Sequence, residues 1–153
     1  MYAKILMPID VGGAPEPVTE HAVMLAKAHG ADILGLRMIP IVSSDDAFFQ
    51  QIQVEVGSRG AKLCAEALAY FAALERRFKE SGVHFSGEVI FSEKAEADVI
   101  AEYAKSKDCS LIIMPTQARP ALSRWLMGNV EDKVRHRAAV PVLFVPVAER
   151  NPK

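Results

Sequence analysis

Asp10 ends a short apolar run, Lys4–Ile9 (KILMPI), and the breaker segment Val11-Gly12-Gly13-Ala14-Pro15 follows it. A carboxylate at the mouth of a glycine-bearing loop can accept hydrogen bonds from a ligand. It can equally fold back on its own backbone and close a turn. Cations gather elsewhere. Between Arg119 and Arg137 stand five basic residues (Arg119, Arg124, Lys133, Arg135, Arg137) against two acidic ones (Glu131, Asp132), a local +3 in a chain of net charge −1. Guanidinium groups at Arg119 and Arg124 would suit a phosphate or another anion. The plainer reading is a solvated helix with its cations near the carboxyl end of the dipole, which suits Arg135 and Arg137.

Other chemistry is poorly represented. His21, His29, His84 and His136 are dispersed and form no pair at ligand spacing, which argues against a metal centre. Cys64 and Cys109 lack a C-x-x-C spacing and fall in different elements, so they read as small reduced core thiols. Ser58 and Ser123 lie in no G-x-S-x-G elbow, and there is no Walker loop. The third strand-like run ends Ile90-Phe91-Ser92, without the clustered aspartates of a receiver site. Trp125, with Leu126 and Met127, reads as an anchor for its loop rather than a stacking platform. No catalytic base or ligand set is identifiable, so the expectation is a protein that is not an enzyme.

Composition sets the frame. The 153 residues suit one domain, which at this length buries roughly 70% of its unfolded surface and needs no disulfide or metal. Half the residues are apolar (50%) but only 7% are aromatic, so the core is mainly aliphatic. Near-neutral charge excludes a disordered polyelectrolyte and gives no global pull toward nucleic acid or acidic lipid. The local cations are not interleaved with aromatics that would stack bases. The first residues show no signal-peptide core, and the longest apolar stretch, Ala138–Ala148, is broken by Pro141 and Pro146. It is far short of the ~20 residues of a membrane helix. A cytoplasmic protein without membrane or nucleic-acid partners is expected.

These residues must be held by alternating strands and helices. After the first strand, Pro17 fits the first turn of a helix whose apolar positions are Val18, Ala22, Leu25 and Ala26, with Gly30 as C-cap. Asp32–Ile39 is a second strand, closed by Pro40. Ile41–Gly57 is ambiguous: Ser43-Ser44-Asp45-Asp46 could cap a helix, yet AFFQQIQVEV alternates like a strand. From Ser58 on, Leu63, Ala67, Leu68, Phe71, Leu74 and Phe78 form one helical stripe that ends at Gly82. Val83–Phe91 alternates as a third strand, and Ala95–Lys105 is a helix with Val99, Ile100 and Tyr103 facing inward. Ser110–Met114 is a doubly buried strand, a loop Pro115–Asn129 follows, a helix opens near Asn129, and Pro141–Val147 is the last strand. This order predicts an α/β, doubly wound, five-stranded parallel sheet with helices on both faces. Ligands of such folds sit beyond the carboxyl ends of the strands, where Asp10, Ile39 and the Pro115–Asn129 loop fall.

The segment LIIMPTQARPALSRWLMGNVEDKVRHRAAVPVLFVPV (Leu111–Val147) resembles the carboxyl-terminal signature of the universal stress protein (UspA-like) family. KILMPID resembles that family's first strand and acidic residue, so the likeness runs over a single domain at 1–150, with 151–153 as a tail. The resemblance implies a Rossmann-like fold of strand order 3-2-1-4-5, akin to adenine nucleotide alpha hydrolases, and dimerisation through the last strand. A subset of the family binds ATP with a loop of form G-x2-G-x9-G-[ST] after the fourth strand. Here Pro115 and Ala118 stand at the first two glycines, Gly128 at the third and Asn129 at the Ser/Thr. Pro115 removes an N–H, Ala118 adds a Cβ, and Pro120 stiffens the loop. Each lost donor costs a bound phosphate about 1–3 kcal/mol, together two to four decades of affinity on the scale of about 1.4 kcal/mol per decade.

Carried over position by position, the nucleotide-binding set would be Asp10, Ile39, Met114, Pro115, Ala118, Arg119, Gly128, Asn129 and Val130. Asn129 would also cap its helix, with Asp132 at N3. Val11-Gly12-Gly13 departs from the family's usual Gly-Ser. The dimer edge would be Val142, Leu143, Phe144 and Val145, with Pro146 tolerable only where its missing N–H faces away from the partner, or at a bulge. The expected function is a non-catalytic stress-response module that dimerises and acts through unidentified protein partners, with no firm cofactor and weak or absent ATP binding. The alternative is an ATP- or AMP-binding switch in which Arg119 and Arg124 replace the loop glycines.

Overall fold

The computed structural model describes residues 2–10, 12–41, 47–117 and 130–147, with the backbone alone for 47–58 and 117. Five strands, β1 (Lys4–Pro8), β2 (Asp32–Pro40), β3 (Phe85–Ser92), β4 (Leu111–Gln117) and β5 (Val142–Val147), form one sheet of order β3-β2-β1-β4-β5. Every neighbouring pair is parallel. The described helices are α1 (Glu16–His29), α2 (Ala47–Glu80), α3 (Glu96–Ser106) and α4 (Val130–Arg137).

Alternation along the strands divides the core into two layers. Ile5, Met7, Ile9, Ile33 and Ile113 pack with α1 (Val18, Ala22, Ala26) and α2 (Phe71, Leu74, Phe78). Leu6, Leu36, Met38, Ile112 and Met114 pack with α3 (Val99, Ile100, Tyr103) and with Val134 of α4. Burial on both faces is why β1 and β4 read as unbroken apolar runs. Local signals hold at α1: Pro17 lies in the first turn, and Gly30 adopts φ 65°, its N–H donating to Ala26 O.

One open reading is settled and two expectations change. AFFQQIQVEV is helical: no proline separates it from the helix beyond Ser58, Gly57 and Gly60 each cost only about 1 kcal/mol, and elongation is easier than a new start. The Ser43–Asp46 cap lies outside the described residues. Leu68 is exposed (54%): Leu63, Ala67, Phe71, Leu74 and Phe78 keep steps of three and four, and Leu68 sits one residue off that stripe. β4 runs three residues past Met114, so Pro115 belongs to a strand and pairs with Val145 of β5.

Glycine appears where α2 meets the sheet. Gly35 of β2 lies opposite Gly87 of β3, and a Cβ on Gly87 would stand 2.4 Å from Cγ and Cδ2 of Phe71. The trough they leave seats the rings of Phe71, Phe78 and Phe85; Phe78 stacks on Phe85 at 5.2 Å and 5°.

Candidate functional site

Two prolines face each other where β1 and β4 part. Ile9 N donates to Leu36 O of β2, so the odd residues of β1 turn their backbone groups toward β2 and Pro8 turns toward β4. Ile112 N donates to Pro141 O at the start of β5, so by the same alternation Pro115 turns toward β1. Neither proline has an N–H. The β1–β4 ladder accordingly holds only Ile5↔Leu111 and Leu6↔Ile112, whereas β1–β2 runs on to Pro8↔Leu36. The break lies at the point where the chain order reverses, the place beyond which ligands of such folds bind.

Asp10 stands just past the end of β1. Its Oδ1 accepts from Gly12 N at 3.0 Å, and its carbonyl accepts from Gly13 N at 3.0 Å. The turn-closing role is therefore real, while Oδ2 has no hydrogen-bond partner among the described residues. Gly13 needs its glycine, with φ +82° and an added Cβ only 2.9 Å from the Tyr70 ring. Tyr70 Oη accepts from Ala14 N at 2.9 Å, pinning the loop to α2.

On the β4 side, Thr116 Oγ1 donates to Glu131 Oε2 at 3.0 Å. A half-buried carboxylate from the first turn of α4 thus bridges to the end of β4. Asp132 pairs with Arg135 at 3.7 Å. Two described cations stand in the last turn of α4: Arg135 lies 4.9 Å over the Phe144 ring, and Arg137 pairs with Asp98. For Arg135 and Arg137 the plain helix-terminus reading holds.

Sequence reasoning missed Arg37 and Glu96. Arg37 is 8% exposed within β2, and its Nη1 donates to Met38 O at 2.7 Å. It lines a cavity of about 210 Å³ with Ile9, Asp10, Glu66, Tyr70 and Phe71. The signal was one charge inside an otherwise apolar strand. Burial pushes the Glu96 carboxyl above its ordinary value; nearby Arg37 opposes the shift and Asp10 adds to it. A raised folded-state value favours the native state below the unfolded value of 4.5, and that gain is lost as pH rises through the folded value. Glu96→Gln is expected to remove this fall, so thermal melts from pH 4 to pH 7 should show the variant gaining on wild type as pH rises. A parallel pair of profiles would refute it.

The other expected site residues are only partly brought together. Ile39 is 3% and Met114 6% exposed, both buried at their strand ends. Pro115 lies beyond the end of the β1–β4 pairing, and Val130 opens α4. Val11, Ala118, Arg119, Pro120, Arg124, Trp125, Gly128 and Asn129 lie outside the described residues. At the sheet edge, Val142, Leu143 and Phe144 are half-buried, but Val145 is core. Because Pro141 O faces β4, Val142, Phe144 and Pro146 face the open edge, which corrects the condition set for Pro146. Its missing N–H points outward, so edge pairing has the N–H groups of Val142 and Phe144 and stops there. Cys64 and Cys109 are free thiols, and burial pushes Cys109 up.

The model of the universal stress protein family matches residues 1–146. The universal stress protein YxiE of Bacillus subtilis is 28% identical over 156 residues, covering 95% of this chain and 99% of its own. Among solved structures, a universal stress protein of Archaeoglobus fulgidus in complex with dAMP superposes with a TM-score of 0.66 at 17% identity, covering 94% and 98% of the two chains. A universal stress protein in complex with cAMP gives 0.68 at 16% identity, covering 95% and 97%.

Proposed function

Since this chain belongs to the universal stress protein family, we propose that it is a non-catalytic regulatory module of the stress response that dimerises, acts through protein contacts and binds ATP weakly or not at all. The observation that carries this reading is the pair Pro8 and Pro115, which withholds backbone donors from the edge where a phosphate would need them. Thr116 adds no free hydroxyl proton, because Glu131 takes it.

Calorimetric titration with ATP and Mg²⁺ should give no saturable heat below about millimolar. The triple variant Pro115→Gly, Ala118→Gly, Asn129→Ser is expected to raise affinity at least about tenfold, the scale of one recovered hydrogen bond. Micromolar binding by the wild type would overturn the reading, and an unresponsive triple variant would overturn its explanation.

The second reading, an ATP- or AMP-responsive switch, draws on the two similar structures that hold dAMP and cAMP and on Oδ2 of Asp10, which has no hydrogen-bond partner among the described residues. Arg119 and Arg124 would then supply the missing donors. For the dimer, the support is the half-buried apolar β5 edge with two outward N–H groups. Light scattering at micromolar concentration should give twice the mass of 16.7 kDa; a monomeric mass would refute it.

A further inference from the structure

Arg37 is a buried charge that no carboxylate neutralises. It is 8% exposed, and it forms no ion pair among the described residues. Its Nη1 donates to the neighbouring Met38 O, while Nε and Nη2 have no partner among the described residues. No side-chain nitrogen of those residues is both sealed from solvent and unsatisfied, so these two groups open onto the cavity of about 210 Å³ that Arg37 lines. A guanidinium withdrawn from water is costly without a counter-ion. Its planar fork is shaped to take a carboxylate through two parallel bonds.

The same cavity carries the opposite charge at its mouth. Asp10 and Glu66 line it, and both are exposed. Gly12 N occupies Oδ1 of Asp10, but Oδ2 and the Glu66 carboxylate have no hydrogen bond among the described residues. Ile9, Leu63 and Phe71 add an apolar wall, and no residue of β4 or α4 takes part. The frame is preformed: β2 is held between β1 and β3, and Tyr70 Oη fixes the loop through Ala14 N at 2.9 Å. A cavity of about 150 Å³ holds benzene, so one of about 210 Å³ suits roughly eight to ten non-hydrogen atoms, far fewer than a nucleotide has.

We propose that this cavity binds a zwitterionic amino acid with a small apolar side chain, its carboxylate on Arg37 and its ammonium group toward Asp10 and Glu66. Buried cation, exposed carboxylates and apolar wall match the three parts of such a molecule. A phosphate ester is disfavoured by size and by the two carboxylates at the mouth. The inference goes beyond the regulatory reading by giving the module a small-molecule input, and it holds whether or not ATP binds.

The test titrates L-leucine into the full chain by calorimetry, beside isocaproate, which lacks the ammonium group, and isoamylamine, which lacks the carboxylate. Leucine should bind saturably at about millimolar or tighter, and each analogue at least about tenfold more weakly. Arg37→Met removes the charge and should weaken leucine at least about tenfold, the scale of one charged hydrogen bond. Its melting temperature without ligand should stay level or rise, because an unpaired buried charge is gone. Glu66→Gln, at an exposed position of α2, should keep the melting temperature and weaken leucine about threefold, since Asp10 still shares the ammonium group.

No saturable leucine binding by the wild type, isocaproate binding as tightly as leucine, or undiminished affinity in Arg37→Met overturns the inference. Should Arg37→Met fail to fold, Glu66→Gln and the analogue series decide it. Micromolar ATP binding by the wild type overturns the weak-ATP reading and leaves this inference standing.

Discussion

Replacing Phe78 by alanine is expected to lower the free energy of unfolding by about 3–5 kcal/mol, the usual cost of removing a fully buried aromatic ring. Phe78 is 0% exposed and lies flat against Phe85, so its loss leaves a void between α2 and the sheet that neither rigid element can collapse to fill. The backbone around it also ends the helix: Ser81 N and Val83 N both donate to Phe78 O, which ties the α2 terminus to the entry of β3. Urea unfolding followed by circular dichroism gives the number. Leu68→Ala, on the same helix but exposed, serves as the control and should change stability by no more than about 0.5 kcal/mol. A loss below about 1 kcal/mol at Phe78 would mean that α2 is not seated on the sheet as described.

Gly87→Ala should destabilise by about 1–3 kcal/mol through overpacking. The new Cβ would stand 2.4 Å from Cγ of Phe71, the root of the ring, which cannot swing aside without moving α2. Gly35, its partner in register, has the same tight relation to Phe85 at 2.7 Å, so the strand cannot yield toward its neighbour either. Phe71→Ala, which removes Cγ and the ring, should make Gly87→Ala cost less than it does in the wild type. A double-mutant cycle in urea is expected to give a coupling of at least about 0.5 kcal/mol between these touching sites. Strict additivity would place the clash elsewhere.

Much of the architecture was legible because it depends on local periodicity. Val18, Ala22 and Ala26 repeat on one helix face, Gly30 caps it, and the unbroken runs at Ile5–Met7 and Leu111–Met114 announce strands covered on both sides. Periodicity left AFFQQIQVEV open, because two periods competed there, and misled where one leucine adjoined a stripe without belonging to it, at Leu68. The site was less legible. Asp10 was found because a carboxylate at a strand end stands out, but its bond to Gly12 N and the pinning of that loop by Tyr70, 56 residues from Ala14, are not written nearby. Arg37 and Glu96 acquire their character from burial, which depends on what packs against them.

Sequence alone determined the elements, their order, the family resemblance and the loss of an N–H at Pro115. Tertiary structure decided that Pro115 belongs to a strand, that it faces Pro8 across the β1–β4 break, and that Glu131 reaches Thr116. The reason is physical. Capping and amphipathic spacing act over a few residues and can be read along the chain, whereas strand register and backbone direction are set by pairing between segments about a hundred residues apart.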